Sequence, residues 1–431
     1  MKVCVAGLWH LGTVTAACLA GAGQDVTGYD HDPATVERLA NGRLPVFEPG
    51  LDDLVRSGVA QGLLRFSGDP HDAAAAAEVL WIAWDTPVDD DDRADVESVL
   101  ARVDALLPAL RPGSLVIVSS QLPVGSTARI ERRCAELHPD GAIDVVYSPE
   151  NLRLGKAIES FMTPDRVVAG TRGDRGRARV AALFAPFTDR IEWMSIESAE
   201  MTKHALNAFL ATSVAFANEI AAISERVGAD ALDVARGLKT DRRIGPRAYL
   251  APGAAFAGGT LARDVMFLSD QARALQVPLH LIPAVRDSNE AHRTWALRSL
   301  DSVLGGVSGK TVAVWGLTYK PGTDTLRRSD AIALCHALAA RGAVTRVFDP
   351  TVRSLPAVMT GFATLAASPA DAARGADAVV VGTEWPLFRD VSADDLVAAG
   401  APLVVDAGRF LAATLGADPR LRYVAVGSDR R

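Results

Sequence analysis

The chain has 431 residues, of which 49% are hydrophobic and 23% charged, and a formal net charge of −7. That length exceeds one ordinary domain, so two or three are expected, with the composition of a soluble globular protein. The acidic balance argues against nucleic acid or an anionic membrane as the main partner, while leaving room for a local basic pocket that takes a phosphate.

The first residues, Lys2-Val3-Cys4-Val5-Ala6, read as a strand ending at Gly7. No secretory signal is therefore expected, and no apolar run reaches the roughly 18–20 residues that span a bilayer. An alanine-rich helix follows over 11–22, then strands at 25–30, 79–84, 114–120 and 144–148. Strands separated by helical segments imply parallel βαβ units with right-handed crossovers. From 195 to 229 the chain lacks proline, has no glycine before Gly228, and repeats apolar residues at helical spacing. This predicts a long central helix buried by neighbours or by a second subunit. Further helices are expected up to Leu304, where Gly305-Gly306 and Ser308-Gly309 mark a boundary. Strands then resume at 311–317, 344–350, 378–383 and 403–408, giving a second α/β region.

Cys4, Cys18, Cys134 and Cys335 are scattered, without a CxxC pair or metal-ligand spacing. They read as small buried hydrophobes of a reduced cytoplasmic protein. The eight histidines are dispersed, and no metal site is expected.

The stretch Gly7-Leu8-Trp9-His10-Leu11-Gly12 lies between a strand and a helix. Its first and last glycines match a GxGxxG dinucleotide turn: one permits the tight bend, the other lets helix and strand pack closely. Trp9 replaces the middle glycine, whose role is to let backbone approach the pyrophosphate. Asp30 ends the second strand about twenty residues on, where an acid takes the ribose hydroxyls and favours NAD over NADP.

Several stretches together resemble the UDP-glucose/GDP-mannose dehydrogenase family. They are FEPGL (47–51), DTP (85–87), SSQLPVGST (119–127), SPENLRLGKA (148–157), TPDRVVAG (163–170), AEMTKHALNAFLATSVAFANEIA (199–221), DRRIGPRAYL (241–250), AFAGGTLARD (255–264), GLTYKPGTDTLRRS (316–329) and GTEWPLF (382–388). The likeness covers nearly the whole chain. It implies an N-terminal Rossmann-like NAD domain over 1–194, a central helical dimerisation region over 195–304, and a C-terminal Rossmann-like nucleotide-sugar domain over 305–431. It also implies a homodimer that oxidises a nucleotide sugar with NAD.

The resemblance assigns residues as well. Lys203 and Asn207, four apart on the central helix and so on one face, belong to the active site with Glu150 as acid/base and Asp264 as a water-positioning acid. A lysine ammonium can stabilise charge developing on a sugar oxygen, and an amide can orient water or substrate. Gly7, Trp9, His10, Leu11, Gly12, Asp30, Thr86 and Ser120 fall to the cofactor. Asn151, Leu152, Arg247, Tyr249, Gly258 and Lys320 fall to the substrate. Arg409 resembles a substrate-binding arginine but comes one position late.

The family's nucleophilic cysteine lies in a motif close to GFGGSCFPKD, and Thr260 takes its place here. No cysteine occurs between Cys134 and Cys335, so a shift of register does not supply one. Gln121, Leu154 and Arg263 depart from the family's threonine, acid and lysine. A thiolate adds to an aldehyde and yields a thioester after a second hydride transfer, whereas a threonine hydroxyl is far less acidic. Three outcomes stay open: a single oxidation, a full oxidation through a gem-diol, and a silent protein that binds NAD or a nucleotide sugar without turnover.

Overall fold

A computed structural model of the chain describes residues 1–89, 93–141, 143–150, 152–257 and 259–428. Each strand expected from an apolar run is present, and each ends one to three residues earlier than expected. The trailing residues, such as Ala83-Trp84, Ser119-Ser120 and Ser148, form the loops at the carboxyl edge of the sheet instead.

The chain divides into two compact units, Met1–Leu206 and Asn207–Arg431. The first holds β1 (Lys2–Ala6), β2 (Asp25–Tyr29), β3 (Leu64–Ser67), β4 (Val79–Ile82), β5 (Leu115–Val118), β6 (Asp144–Tyr147), β7 (Val167–Gly170) and β8 (Ile191–Met194). Their order in the sheet is β3-β2-β1-β4-β5-β6-β7-β8. Neighbours run parallel except β6 and β7, which meet antiparallel at Tyr147 and Gly170. All four residues of β4 and of β5 are buried, as strands covered by helices on both faces require. Side chains alternate between two cores. Val3, Val5, Val79, Trp81, Leu115 and Ile117 face one, with the helix His10–Gly21. Cys4, Ala6, Leu80, Ile82, Val116 and Val118 face the other, with the helix Val96–Leu106.

The second unit contains helices Ala231–Thr240, Thr260–Ala274, Leu281–Arg293 and Trp295–Leu304. Gly305, at φ 70°, caps the last of these, a left-handed position glycine fills without Cβ strain. The sheet that follows holds β9 (Thr311–Trp315), β10 (Val344–Phe348), β11 (Ala363–Leu365), β12 (Ala378–Val381), β13 (Leu403–Val405) and β14 (Arg422–Val424). Its order is β11-β10-β9-β12-β13-β14, all parallel. This repeats the order of the first six strands of the other sheet. In each, the strand order reverses between the first and fourth strands, where a ligand crevice opens at the carboxyl ends.

The expected central helix runs from Ile196 to Val227. Among the described residues it is the one helix long and apolar enough to cross a membrane by length and composition alone. No unbroken apolar run of that length occurs in it, because Glu200, Lys203, His204 and Asn207 interrupt its first three turns. All four side chains are buried.

Candidate active site

The first crevice is built at the reversal between β1 and β4. Gly7 has φ +98°, and a Cβ there would lie 2.6 Å from the Trp84 backbone. A Cβ on Gly12 would lie 1.7 Å from the Gly7 oxygen, so neither position accepts another residue. Trp9 has φ −82° and extended backbone, which any residue adopts. The turn therefore closes without a middle glycine, and the indole stands 47% exposed beside it. Asp30 Oδ2 accepts from Leu8 N at 2.7 Å and Oδ1 from Asp32 N at 3.0 Å. His31 Nδ1 lies 3.0 Å from the same Oδ1. At the neighbouring strand ends Thr86 is buried, its hydroxyl donating to Gln121 O at 2.7 Å. Ser120 Oγ and Trp84 Nε1 are buried polar atoms without a hydrogen-bond partner among the described residues. A cradle that only glycine fits at Gly7 and Gly12, with an acid at the second strand end, suits a dinucleotide. The unsatisfied Ser120 hydroxyl and Trp84 indole are groups that a polar ligand could satisfy.

Lys203 and Glu150 meet within the same unit. Lys203 is buried, and its Nζ donates to the Glu150 backbone oxygen. The Glu150 carboxylate, partly open to solvent, lies 3.9 Å from that Nζ. Asn151 lies outside the described residues. Leu152 packs on the core beside the first helix, and Leu11, Thr15, Ser148, Glu150 and Leu152 line one pocket.

Two buried acids absent from the predicted set pin the loops around this group. Glu200, fully buried, accepts from Gly125 N at 2.7 Å and Thr127 N at 2.9 Å. His204 Nε2 lies 3.0 Å from Leu122 O. One face of the long helix thus holds the loop after β5, next to Ser120. Glu48 does the same for the segment after β6, accepting from Gly155 N and Ala157 N, both at 2.8 Å. Both acids occur in the motifs quoted above, but their partners are distant in sequence, so spacing gave no signal.

In the second unit Asn207 Nδ2 donates to Asp264 Oδ2, and both residues are buried. Gly258 lies outside the described residues. Gly259, at φ +113°, precedes the helix Thr260–Ala274. Thr260 is the first residue of that helix and is exposed. Arg247 and Tyr249 are exposed on the segment between helices, and Lys320 is half-buried in the loop after β9. Arg409 has a left-handed backbone, φ 57°. Its guanidinium donates to Asp230 Oδ2 at 3.0 Å and to Val426 O at 3.4 Å.

The second crevice repeats the architecture with different chemistry. Gly316, at φ +91°, sits against Thr383 as Gly7 sits against Trp84. Asp349 occupies the place of Asp30, but one of its oxygens accepts from Leu317 N, Thr318 N, the Thr318 hydroxyl and Trp385 Nε1 at 2.8–3.1 Å. The other accepts from Thr351 N and its hydroxyl at 2.9 and 2.8 Å. Burial works to raise this carboxyl, yet those donors hold it below the usual carboxylate range. With that many donors Asp349 has no lone pair left for a ribose, so this crevice is unsuited to a dinucleotide held in the manner of the first.

All four cysteines are buried. Burial pushes each thiol up to about 12.

Residues 1–188 match the NAD binding domain of the UDP-glucose/GDP-mannose dehydrogenase family, 197–291 its central domain, and 313–413 its UDP binding domain. A UDP-glucose 6-dehydrogenase of Rhizobium meliloti is 36% identical over 435 residues, covering 99% of this chain and 99% of that protein. One from Pseudomonas aeruginosa is 34% identical over 445 residues, covering 100% and 98%. The solved UDP-glucose dehydrogenase of Pyrobaculum islandicum superposes with a TM-score of 0.88 at 30% identity, covering 99% of this chain and 98% of that one.

Proposed function

The chain belongs to the UDP-glucose/GDP-mannose dehydrogenase family, and from that premise we propose that it is an NAD-dependent nucleotide-sugar dehydrogenase that stops after one two-electron oxidation. The substrate is an NDP-hexose, and the hydroxyl oxidised is most simply its C6 primary alcohol.

Thr260 carries this reading. It stands where the family motif has its cysteine, at the exposed start of a helix. The four thiols of the chain are buried and held protonated. Without a thiolate no thioester forms, and the second oxidation loses its covalent route.

NAD, when bound, supplies the hydride acceptor. We assign Gly7, Gly12 and the open face of the turn to its pyrophosphate, Asp30 to its ribose, and Thr86 and Ser120 to the edge beside it. Trp9, His10 and Leu11 complete that turn. Lys203 stabilises the charge that develops on the sugar oxygen as its proton leaves. Glu150, beside it and reachable by solvent, takes that proton. Asn207 orients the substrate hydroxyl or a water, and Asp264 fixes the amide through the hydrogen bond it accepts. Leu152, Arg247, Tyr249 and Lys320 are assigned to the nucleotide sugar, together with Asn151 and Gly258. Arg409, engaged by Asp230, is left out of that set.

Full oxidation is the second reading, and Glu150 favours it. A solvent-reachable carboxylate beside a buried ammonium is able to deprotonate a gem-diol. The deciding experiment counts NADH formed per sugar consumed with UDP-, GDP- and dTDP-hexoses, recording product masses. One NADH and a loss of two hydrogens supports the single step. Two NADH and a carboxylic acid overturns it. Thermal stabilisation by ligand with no NADH points to a silent binder.

We further propose a homodimer through the long helix. Phe209, Phe216 and Ile223 recur every seven residues on it and are 67%, 46% and 60% exposed. The buried, reduced cysteines fit a cytoplasmic protein.

A further inference from the structure

Glu48 has no part in the roles assigned above, yet it is 3% exposed, and among the described residues its carboxylate contacts His10, Gly155 and Ala157, all in functional segments. Oε1 accepts from Ala157 N at 2.8 Å. Oε2 accepts from Gly155 N at 2.8 Å and lies 2.9 Å from His10 Nε2. As a carboxylate only accepts, the imidazole donates through Nε2. The partners are 107, 109 and 38 residues away in sequence. One buried anion thus joins the turn after β1 to the segment after β6.

The chemistry demands an acid. All three partners present N–H groups, and a carboxylate meets them with two acceptor oxygens. A glutamine amide would turn its own N–H toward at least one donor and leave a buried polar group unsatisfied. The two joined segments also share a wall, since Leu11 and Leu152 line the same pocket. A displacement of the turn therefore has a rigid route to the second segment, through His10 and Glu48 rather than through flexible loop.

We propose that Glu48 is a positioning residue that couples the dinucleotide turn to the segment 152–157, so that NAD bound at the turn orders the residues that hold the nucleotide sugar. The coupling rests on the proposed function only in reading that segment as the sugar-binding one.

The test is hydrogen exchange at the amides of Gly155 and Ala157 in the full chain, with and without NAD at concentrations that saturate each variant. In the wild type NAD slows exchange there about fivefold or more. In Glu48→Gln the apo amides exchange at least tenfold faster, and the NAD response disappears although calorimetry still registers NAD binding. His10→Leu keeps the apo protection from Glu48 and loses only the NAD response. It serves as the second variant should Glu48→Gln fold poorly. A response to NAD that persists in either variant, or apo exchange unchanged in Glu48→Gln, overturns the proposal. Titration of the wild type with UDP-glucose and with the GDP- and dTDP-hexoses of the same panel runs in parallel. If neither UDP-glucose nor the GDP- and dTDP-hexoses bind, the sugar-binding reading falls, while the NAD response of the two amides still decides the coupling.

Discussion

Thr260→Cys restores the family's missing atom at a position whose electrostatics can be worked out. Residue 260 opens a helix of 15 residues, behind Gly259. A helix N-terminus stabilises an anion by about 0.3–1 kcal/mol. At about 1.36 kcal/mol per pKa unit, a thiol there drops by roughly 0.2–0.7 units from about 8.5. At pH 7.5 the thiolate fraction then rises from about one in ten to as much as about one in three. Because residue 260 is exposed, losing one methyl and exchanging the hydroxyl for a thiol costs about 0.5 kcal/mol or less, and the fold should survive. The assay has two arms. Iodoacetamide alkylation against pH reads the thiol's pKa, with the buried native cysteines as an internal unreactive background. NADH per sugar reads the chemistry. The variant should yield two NADH where the wild type yields one, and should accumulate a covalent sugar adduct visible by intact mass. A thiol titrating at or above 8.5 would refute the helix argument. A lowered pKa with stoichiometry still at one would refute the claim that the missing thiol is what stops the second oxidation, and would point to Gln121, Leu154 or Arg263 as a further obstacle.

Trp9→Gly should leave the melting temperature within a few degrees, because the turn already closes with extended backbone at that position. Calorimetry should show NAD binding several-fold tighter as the indole is cleared from the turn, and unchanged affinity would mean the side chain already points away. Asn207→Leu removes a donor from the fully buried Asp264 carboxylate. Urea unfolding should show a loss of about 1–3 kcal/mol, and an unchanged midpoint would mean that hydrogen bond contributes nothing net. Phe216→Glu places a charge in the exposed apolar row of the long helix. Light scattering should report half the wild-type mass, and an unaltered mass would remove that face as the dimer contact. Burial holds His292 below its ordinary value near 6.5, against the raising effect of its bond to Gly253 O. Acid therefore protonates the unfolded chain first, and the stability this imidazole contributes above pH 6.5 is lost as pH falls through that value to the lower folded one. His292→Gln, which keeps a donor for Gly253 O, should flatten the fall of the urea midpoint between pH 7.5 and 5.

Periodicity and glycine placement were local information, and they carried far. The apolar runs at 79–82 and 115–118, the alanine-rich first helix and the long helix from 196 to 227 were legible because burial imposes a repeat on neighbouring residues. Gly7, Gly12 and Asp30 were legible because a tight turn with a strand-end acid demands those residue types. The strands β3, β8, β11 and β14 were not, since they are short and partly exposed and carry no clean apolar repeat; β7 was missed as well, because its buried run is only four residues long. What tertiary structure alone decided was pairing at a distance. Nothing in FEPGL says that its acid accepts from amides more than a hundred residues away. Nothing in the sequence around Arg409 says that it is engaged by Asp230, 179 residues earlier. A carboxylate's spacing along the chain constrains only its own backbone. Which donors saturate it depends on loops brought together by the sheet, and that is fixed only when the cores on both of its faces are packed.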